Sequence, residues 1–190
     1  MQTFRARSSV VWGWIAVGAG AALALLHLAT VGFSRGTGGF GLGVAAIAVG
    51  TAAFLRPRVE THGDAVVLRN TTHAVSIPFA RLGAIETRWS LTLVDDAGRR
   101  WGAFAAPAPG AAASMRRPAG EDDASLGGRP SDRPGTASGD AAAMVHDAWE
   151  DWRAGHPDGE SDAAVERTPD LVGVALAVLA IAGGAWGLFG

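Results

Sequence analysis

The sequence predicts an α+β membrane protein: an N-terminal transmembrane helical hairpin, a small antiparallel β-sheet or barrel with one amphipathic helix, then a third transmembrane helix. Three observations carry this. Charges are absent from 27 residues between Arg7 and Arg35, from the 20 residues Gly36 to Leu55, and from the 20 residues Leu171 to Gly190. Residues 58–105 switch to short apolar stretches separated by turn residues. Residues 139–155 place apolar side chains at helical spacing. A helix needs about 20 mostly apolar residues to cross a bilayer, and helices of a soluble core normally keep a polar stripe that these runs lack.

After a short cytoplasmic N-terminus (1–8), the first span covers 9–33. Its apolar stretch exceeds the roughly 7–15 residues of a signal-peptide core and a second apolar run follows at once, so it reads as a retained helix. An external turn at 34–39 leads to the second span, 40–55. Arginines favour the cytoplasmic side. Arg5 and Arg7 precede the first span and Arg56 and Arg58 follow the second, whereas the turn holds only Arg35. Both outer ends of the hairpin are therefore expected in the cytoplasm, together with residues 56–170, and the C-terminus outside. The Gly39/Gly43 and Gly183/Gly187 pairs have GxxxG spacing, which lets helix backbones approach closely. Packing within the chain is the expected use, and a homo-oligomer through the glycine-rich helices is possible on the same chemistry.

Residues 56–105 read as about six short strands. His62-Gly63-Asp64 and Asn70-Thr71-Thr72 are turns, Val75, Ile77 and Phe79 alternate, and Pro78 ends a strand. Strands follow at Ala84–Trp89, Leu91–Val94 and Arg100–Ala105, the last two joined by the turn Asp95-Asp96-Ala97-Gly98. Residues 106–138 are rich in Pro, Gly and Ala and carry Glu121-Asp122-Asp123, the composition of a disordered acidic loop. Asp140 is the expected N-cap of the amphipathic helix, 139–155, and Gly155 and Pro157 its stop. Val145, Trp149 and Trp152 follow i, i+4, i+7 and form its packing face. An acidic linker (156–169) leads to the third span, 170–189.

The formal net charge of −2 is a cancellation. Residues 1–118 carry 12 Arg and 5 acids, +7; residues 119–190 carry 4 Arg and 13 acids, −9. Every basic residue is an arginine, and there is no Cys, so disulfides, thiolate metal sites and cysteine nucleophiles are excluded. No GxSxG, P-loop or HExxH occurs, and the glycines of Gly38–Gly43 lie in a membrane helix. The expectation is a non-enzyme with no cofactor, no metal and no nucleic-acid partner.

Short strands followed by one amphipathic helix with a buried Trp is the order of a pleckstrin-homology (PH) fold. The stretches Arg56-Pro57-Arg58-Val59-Glu60, Val75-Ser76-Ile77-Pro78-Phe79-Ala80-Arg81-Leu82-Gly83-Ala84-Ile85, Arg88-Trp89-Ser90-Leu91 and Asp95-Asp96-Ala97-Gly98-Arg99-Arg100 add detail. Over roughly residues 10–105 the chain resembles the bacterial PH-like domain of actinobacterial membrane proteins of the low-molecular-weight protein antigen 6 type, in which two transmembrane helices run into such a domain. The long loop and the third span are additions to that pattern. The resemblance implies a multi-pass protein of a bacterial plasma membrane.

Candidate contacts follow. Arg56, Arg58, Arg81 and Arg88 could meet lipid headgroups or a partner, since an arginine near an anionic surface is attracted by about 1 kcal/mol. Arg56 and Arg58 equally serve topology. The first strand turn holds Asp64 where a phosphoinositide-binding PH loop needs a base, so inositol phosphate recognition is not expected. His27 is the ionisable side chain inside a span, a candidate intramembrane polar site. The expected function is a non-catalytic interaction or scaffolding module, with membrane lipids and a membrane or cytoplasmic protein as partners and a partner strand docking on the small sheet. The alternative is an accessory subunit of a transporter or envelope-synthesis complex.

Overall fold

The computed structural model describes residues 1–32, 37–107, 135–156 and 163–189. Among them are four α-helices: α1 (Arg7–Thr30), α2 (Gly38–Val49, prolonged by the π-helical turn Gly50–Leu55), α3 (Ala137–Gly155) and α4 (Leu171–Phe189). The chain forms two compact units, one of residues 1–6, 58–70 and 74–168, the other of residues 7–57, 71–73 and 169–190.

In the helical unit, α1, α2 with its π-turn, and α4 are each long and apolar enough to cross a membrane. At 18 to 24 residues, they reach about 27–36 Å at 1.5 Å per residue, matching a hydrocarbon core of about 30 Å. Glycines set the spacing between them. A Cβ on Gly43 would lie 2.6 Å from the Gly20 carbonyl oxygen of α1, and one on Gly183 would lie 2.8 Å from the Gly41 carbonyl oxygen of α2. Gly187 likewise abuts Leu42 and Gly38, and Gly39 abuts His27. Both GxxxG pairs thus face helices of the same chain, with α2 in contact with α1 and α4 alike. Van der Waals contact and not water exclusion holds such helices together in lipid, which is why small residues occupy the crossings.

The other unit is a two-sheet α+β structure. Strands β1 (Gln2–Phe4), β2 (Arg58–Thr61), β3 (Ala65–Arg69), β4 (His73–Pro78) and β8 (Glu166–Pro169) form a sheet ordered β1-β2-β3-β4-β8. Strands β5 (Leu82–Glu86), β6 (Ser90–Asp95) and β7 (Arg100–Pro107) form an antiparallel meander. Alternation puts Val59, Val66, Leu68, Val75 and Ile77 of one sheet, and Leu91 and Leu93 of the other, into a common core with Phe79, Val145, Trp149 and Trp152. Each such large side chain contributes roughly 1.5–3 kcal/mol by leaving water.

Four sequence expectations are corrected. The N-terminal residues, where no strand is expected, hold one: Gln2-Thr3-Phe4 pairs antiparallel with β2, Phe4 opposite Val59. Three residues are too few for a periodic signal. The linker 156–169 ends in β8, whose four residues are all exposed, so no alternation marks it; with β1 it raises the six expected strands to eight among the described residues. The strand expected at 84–89 is β5 at 82–86, and Arg88-Trp89 falls in the following turn, where Trp89 is 79% exposed. Helix α3 starts at Ala137 behind Thr136, whose Oγ1 accepts from the Gly139 N–H at 3.0 Å. Asp140 instead accepts from the Gly135 N–H at 2.6 Å, holding the loop before the cap. The second and third spans end at 55 and 189 as expected, and the other span ends shift by one to three residues. Half of the external turn at 34–39 and most of the loop at 106–138 lie outside the described residues.

Candidate interaction sites

The packing face of α3 is fixed by two tryptophans. Trp149 Nε1 donates to the Phe79 carbonyl at 3.1 Å, and the Phe79 and Trp152 rings lie 6.3 Å apart at 41°. Val145, Trp149 and Trp152 are all buried. The Phe79–Arg81 turn between the sheets is therefore tied to the helix by a hydrogen bond as well as by apolar contact. On the solvent side Arg153 sits 3.6 Å from the Trp149 ring centroid, and His156 stacks on Trp152 at 5.0 Å.

Beside this face lies a groove of about 400 Å³. Ile85, Glu86 and Thr87 line it at the end of β5, and Gly139, Ala142, Ala143 and His146 line it on α3. Glycine and alanine on the helix keep its backbone close and the groove open. β5 pairs with β6 on one side and with no strand among the described residues on the other, an edge position of the kind that can capture an extended chain.

A second cluster surrounds Glu60, a buried acid in β2. Its Oε1 accepts from Arg58 Nε, its Oε2 accepts from Arg69 Nε at 2.9 Å, and His62 Nε2 lies 3.9 Å away. The hairpin register pairs Arg58 with Arg69 directly, which puts both guanidinium groups on the same face as Glu60. Burial alone would raise the Glu60 pKa; the hydrogen bonds and charges of Arg69 and Arg58 outweigh it and hold the carboxyl below its ordinary value. The register is set by a four-residue turn, closed by the His62 N–H donating to the Ala65 carbonyl at 2.8 Å; counting outward from His62-Gly63-Asp64 alone would put Arg58 opposite Leu68.

The other sequence-chosen arginines are dispersed. Arg56 belongs to the helical unit and gives both Asp170 carboxylate oxygens its Nη2, at 2.8 and 2.6 Å. Arg81 pairs with Asp96 at 2.8 Å and reaches the Ala163 carbonyl at 3.4 Å. Arg88 is exposed, 5.5 Å from the Trp89 ring. His27 is half-buried against Gly39 in the helical unit. The structure thus joins Arg58 to Arg69, not to Arg81 or Arg88. The acidic turn pair divides: Asp96 is exposed, while Asp95 is buried and accepts from the Arg99 N–H, Arg99 Nε and Trp101 Nε1 at 2.8, 2.8 and 3.1 Å. Asp95 is occupied in building its turn. Among the described residues no three His, Asp or Glu side chains gather as a metal-binding set.

No family model matches the chain, and no curated protein or solved structure is significantly similar to it.

Proposed function

We propose that this chain is a multi-pass membrane protein that presents a PH-like domain as a non-catalytic docking module, with an extended partner segment adding to the free edge of β5. The groove between β5 and α3 carries the reading. It combines a strand edge that has no neighbouring strand among the described residues with a shallow apolar wall of Gly139, Ala142 and Ala143 that accepts alternate side chains of an added strand. The two sheets followed by one amphipathic helix that packs into their common core support the PH-like description.

Chain connections support the topology. β1 precedes α1 by two residues, β2 follows the π-turn by two, and β8 precedes α4 by one. All three strands belong to one sheet; on this reading the N-terminus and residues 56–170 share the cytoplasmic side, which the arginine bias around the first two spans favours. The C-terminus then lies outside, in a bacterial plasma membrane.

Photo-crosslinking in native membranes tests the docking reading, with the reactive residue at Glu86 or Ala143 in the groove and at Ala97 in a remote turn. The expected result is one protein adduct shared by the two groove positions and missing at Ala97. Lipid adducts alone from the groove would sink the reading. Topology is checked separately, because the chain has no native Cys: Ala97→Cys should react with an impermeant maleimide only after the membrane is opened.

A further inference from the structure

The Glu60 cluster contains more donor capacity than Glu60 can use. Arg58 and Arg69 each spend Nε on the carboxylate, and their Nη groups make no hydrogen bond among the described residues. A guanidinium has five N–H donors in a rigid fork suited to phosphate. The side chains are 28% and 41% exposed, whereas that of Glu60 is only 6% exposed. The acid is thus shielded beneath the two bases, and the accessible edge of the cluster consists of guanidinium donors. With one buried acid against two arginines the cluster is net positive, and His62 at 3.9 Å adds charge when protonated.

We propose that Arg58 and Arg69, aligned by Glu60, form an anion site that takes a phosphate group, with an anionic lipid headgroup as its source in the membrane-bound protein. Glu60, by accepting from both Nε groups, fixes the two arginine rotamers, so that the ligand does not have to order two long side chains. The site's position follows from chain length. Arg58 stands three residues beyond Leu55, the end of the second apolar helix, and three residues reach at most about 10 Å. The headgroup layer adds about 5–7 Å to each side of the hydrocarbon core. Arg58, and Arg69 opposite it, are therefore within reach of lipid phosphates. This placement rests on α2 crossing the membrane but is independent of the groove at β5.

The test uses the full chain in a neutral maltoside detergent, titrated with short-chain phosphatidic acid, with short-chain phosphatidylcholine, and with inorganic phosphate as competitor. Bound lipid is counted by native mass spectrometry. Retention of phosphatidic acid over phosphatidylcholine is expected, falling about fivefold in Arg69→Gln, the effect of one surface arginine. Arg99→Gln, which removes an arginine held at Asp95, should bind as wild type. Arg69→Lys retains one charge but spends its ammonium on Glu60, and it should also lose affinity; it serves where Arg69→Gln fails to fold. Competition by millimolar inorganic phosphate would assign the site to soluble phosphate, and lipid binding that ignores it would assign the site to the headgroup. Equal binding by wild type and Arg69→Lys overturns the proposal, as does an equal loss in Arg99→Gln. Neither result touches the crosslinking at β5, so the two readings fail separately.

Discussion

Arg56 and Asp170 are 114 positions apart and meet in a two-pronged ion pair, Arg56 Nη2 lying 2.8 and 2.6 Å from the two carboxylate oxygens. Asp170 is also the N-terminal cap of α4: its Oδ1 accepts from the Gly173 N–H at 3.1 Å, while its own N–H donates to the Thr72 carbonyl at 2.9 Å. One carboxylate therefore joins the end of the second apolar helix to the start of the third. Asp170→Ala removes a cap worth about 1–2 kcal/mol and leaves Arg56 without its acid. Thermal unfolding of the full chain in detergent should show a lower midpoint for Asp170→Ala, with Asp170→Asn falling between it and wild type because the amide oxygen still caps.

The Trp149 indole bond to the Phe79 carbonyl has a sharper signature than the burial of the ring. Trp149→Phe keeps most of the apolar contact but removes one of the two hydrogen bonds at the Phe79 carbonyl, which also accepts from the Leu82 N–H, at a net cost of about 0.5–1.5 kcal/mol. Trp149→Ala also leaves a cavity, and such changes cost about 3–5 kcal/mol. Denaturant titration should rank wild type above Trp149→Phe above Trp149→Ala. If Trp149→Phe matched wild type, the hydrogen bond would contribute nothing to docking α3.

The contrast between these tryptophans and the strands β1 and β8 shows which parts of the fold local sequence encodes. Val145, Trp149 and Trp152 repeat at helical spacing over about two turns, and the three apolar runs have no polar stripe, so helix type was readable from order alone. Gln2–Phe4 and Glu166–Pro169 become strands only because an existing sheet offers them an edge, and no property of three or four mostly polar residues announces that. Arg58 was readable as a juxtamembrane base. Its link to Arg69 was harder to see, because it depends on hairpin register and on a buried acid between them, a tertiary relation.

Glycine crossings give the helical unit a position-specific sensitivity. At Gly43 an added Cβ meets the backbone oxygen of Gly20 at 2.6 Å, and backbone cannot move aside as a flexible side chain can. Gly18 on α1 and Gly184 on α4 have nothing within 4 Å. Gly43→Val should therefore push α1 from α2 and lower thermal stability in detergent, whereas Gly18→Ala should be neutral or raise it by about 0.5–1 kcal/mol through helix propensity. Equal destabilisation by both would show that the α1–α2 crossing is not set by glycine contact.

Asp95 makes the stability of the strand unit depend on pH in a definite direction. Burial works to raise its pKa, but the Arg99 N–H, the Trp101 indole and the Arg99 guanidinium together outweigh burial and hold it below the ordinary value. The unfolded chain then takes up this proton at a higher pH than the folded one. The stabilisation is complete above the ordinary Asp value of about 3.9 and is lost as pH falls through the folded value. Glu60 and Asp170 are depressed in the same direction by their arginines, so unfolding midpoints should hold steady near neutrality and drop on acidification below about pH 4. Asp95→Asn removes one of the three contributions and leaves Trp101 Nε1 and the Arg99 N–H facing an amide. It should lower stability at pH 7 by about 1–3 kcal/mol and flatten the acid limb relative to wild type. A variant with an unchanged acid limb would show that the Asp95 carboxylate is not preferentially stabilised in the folded turn.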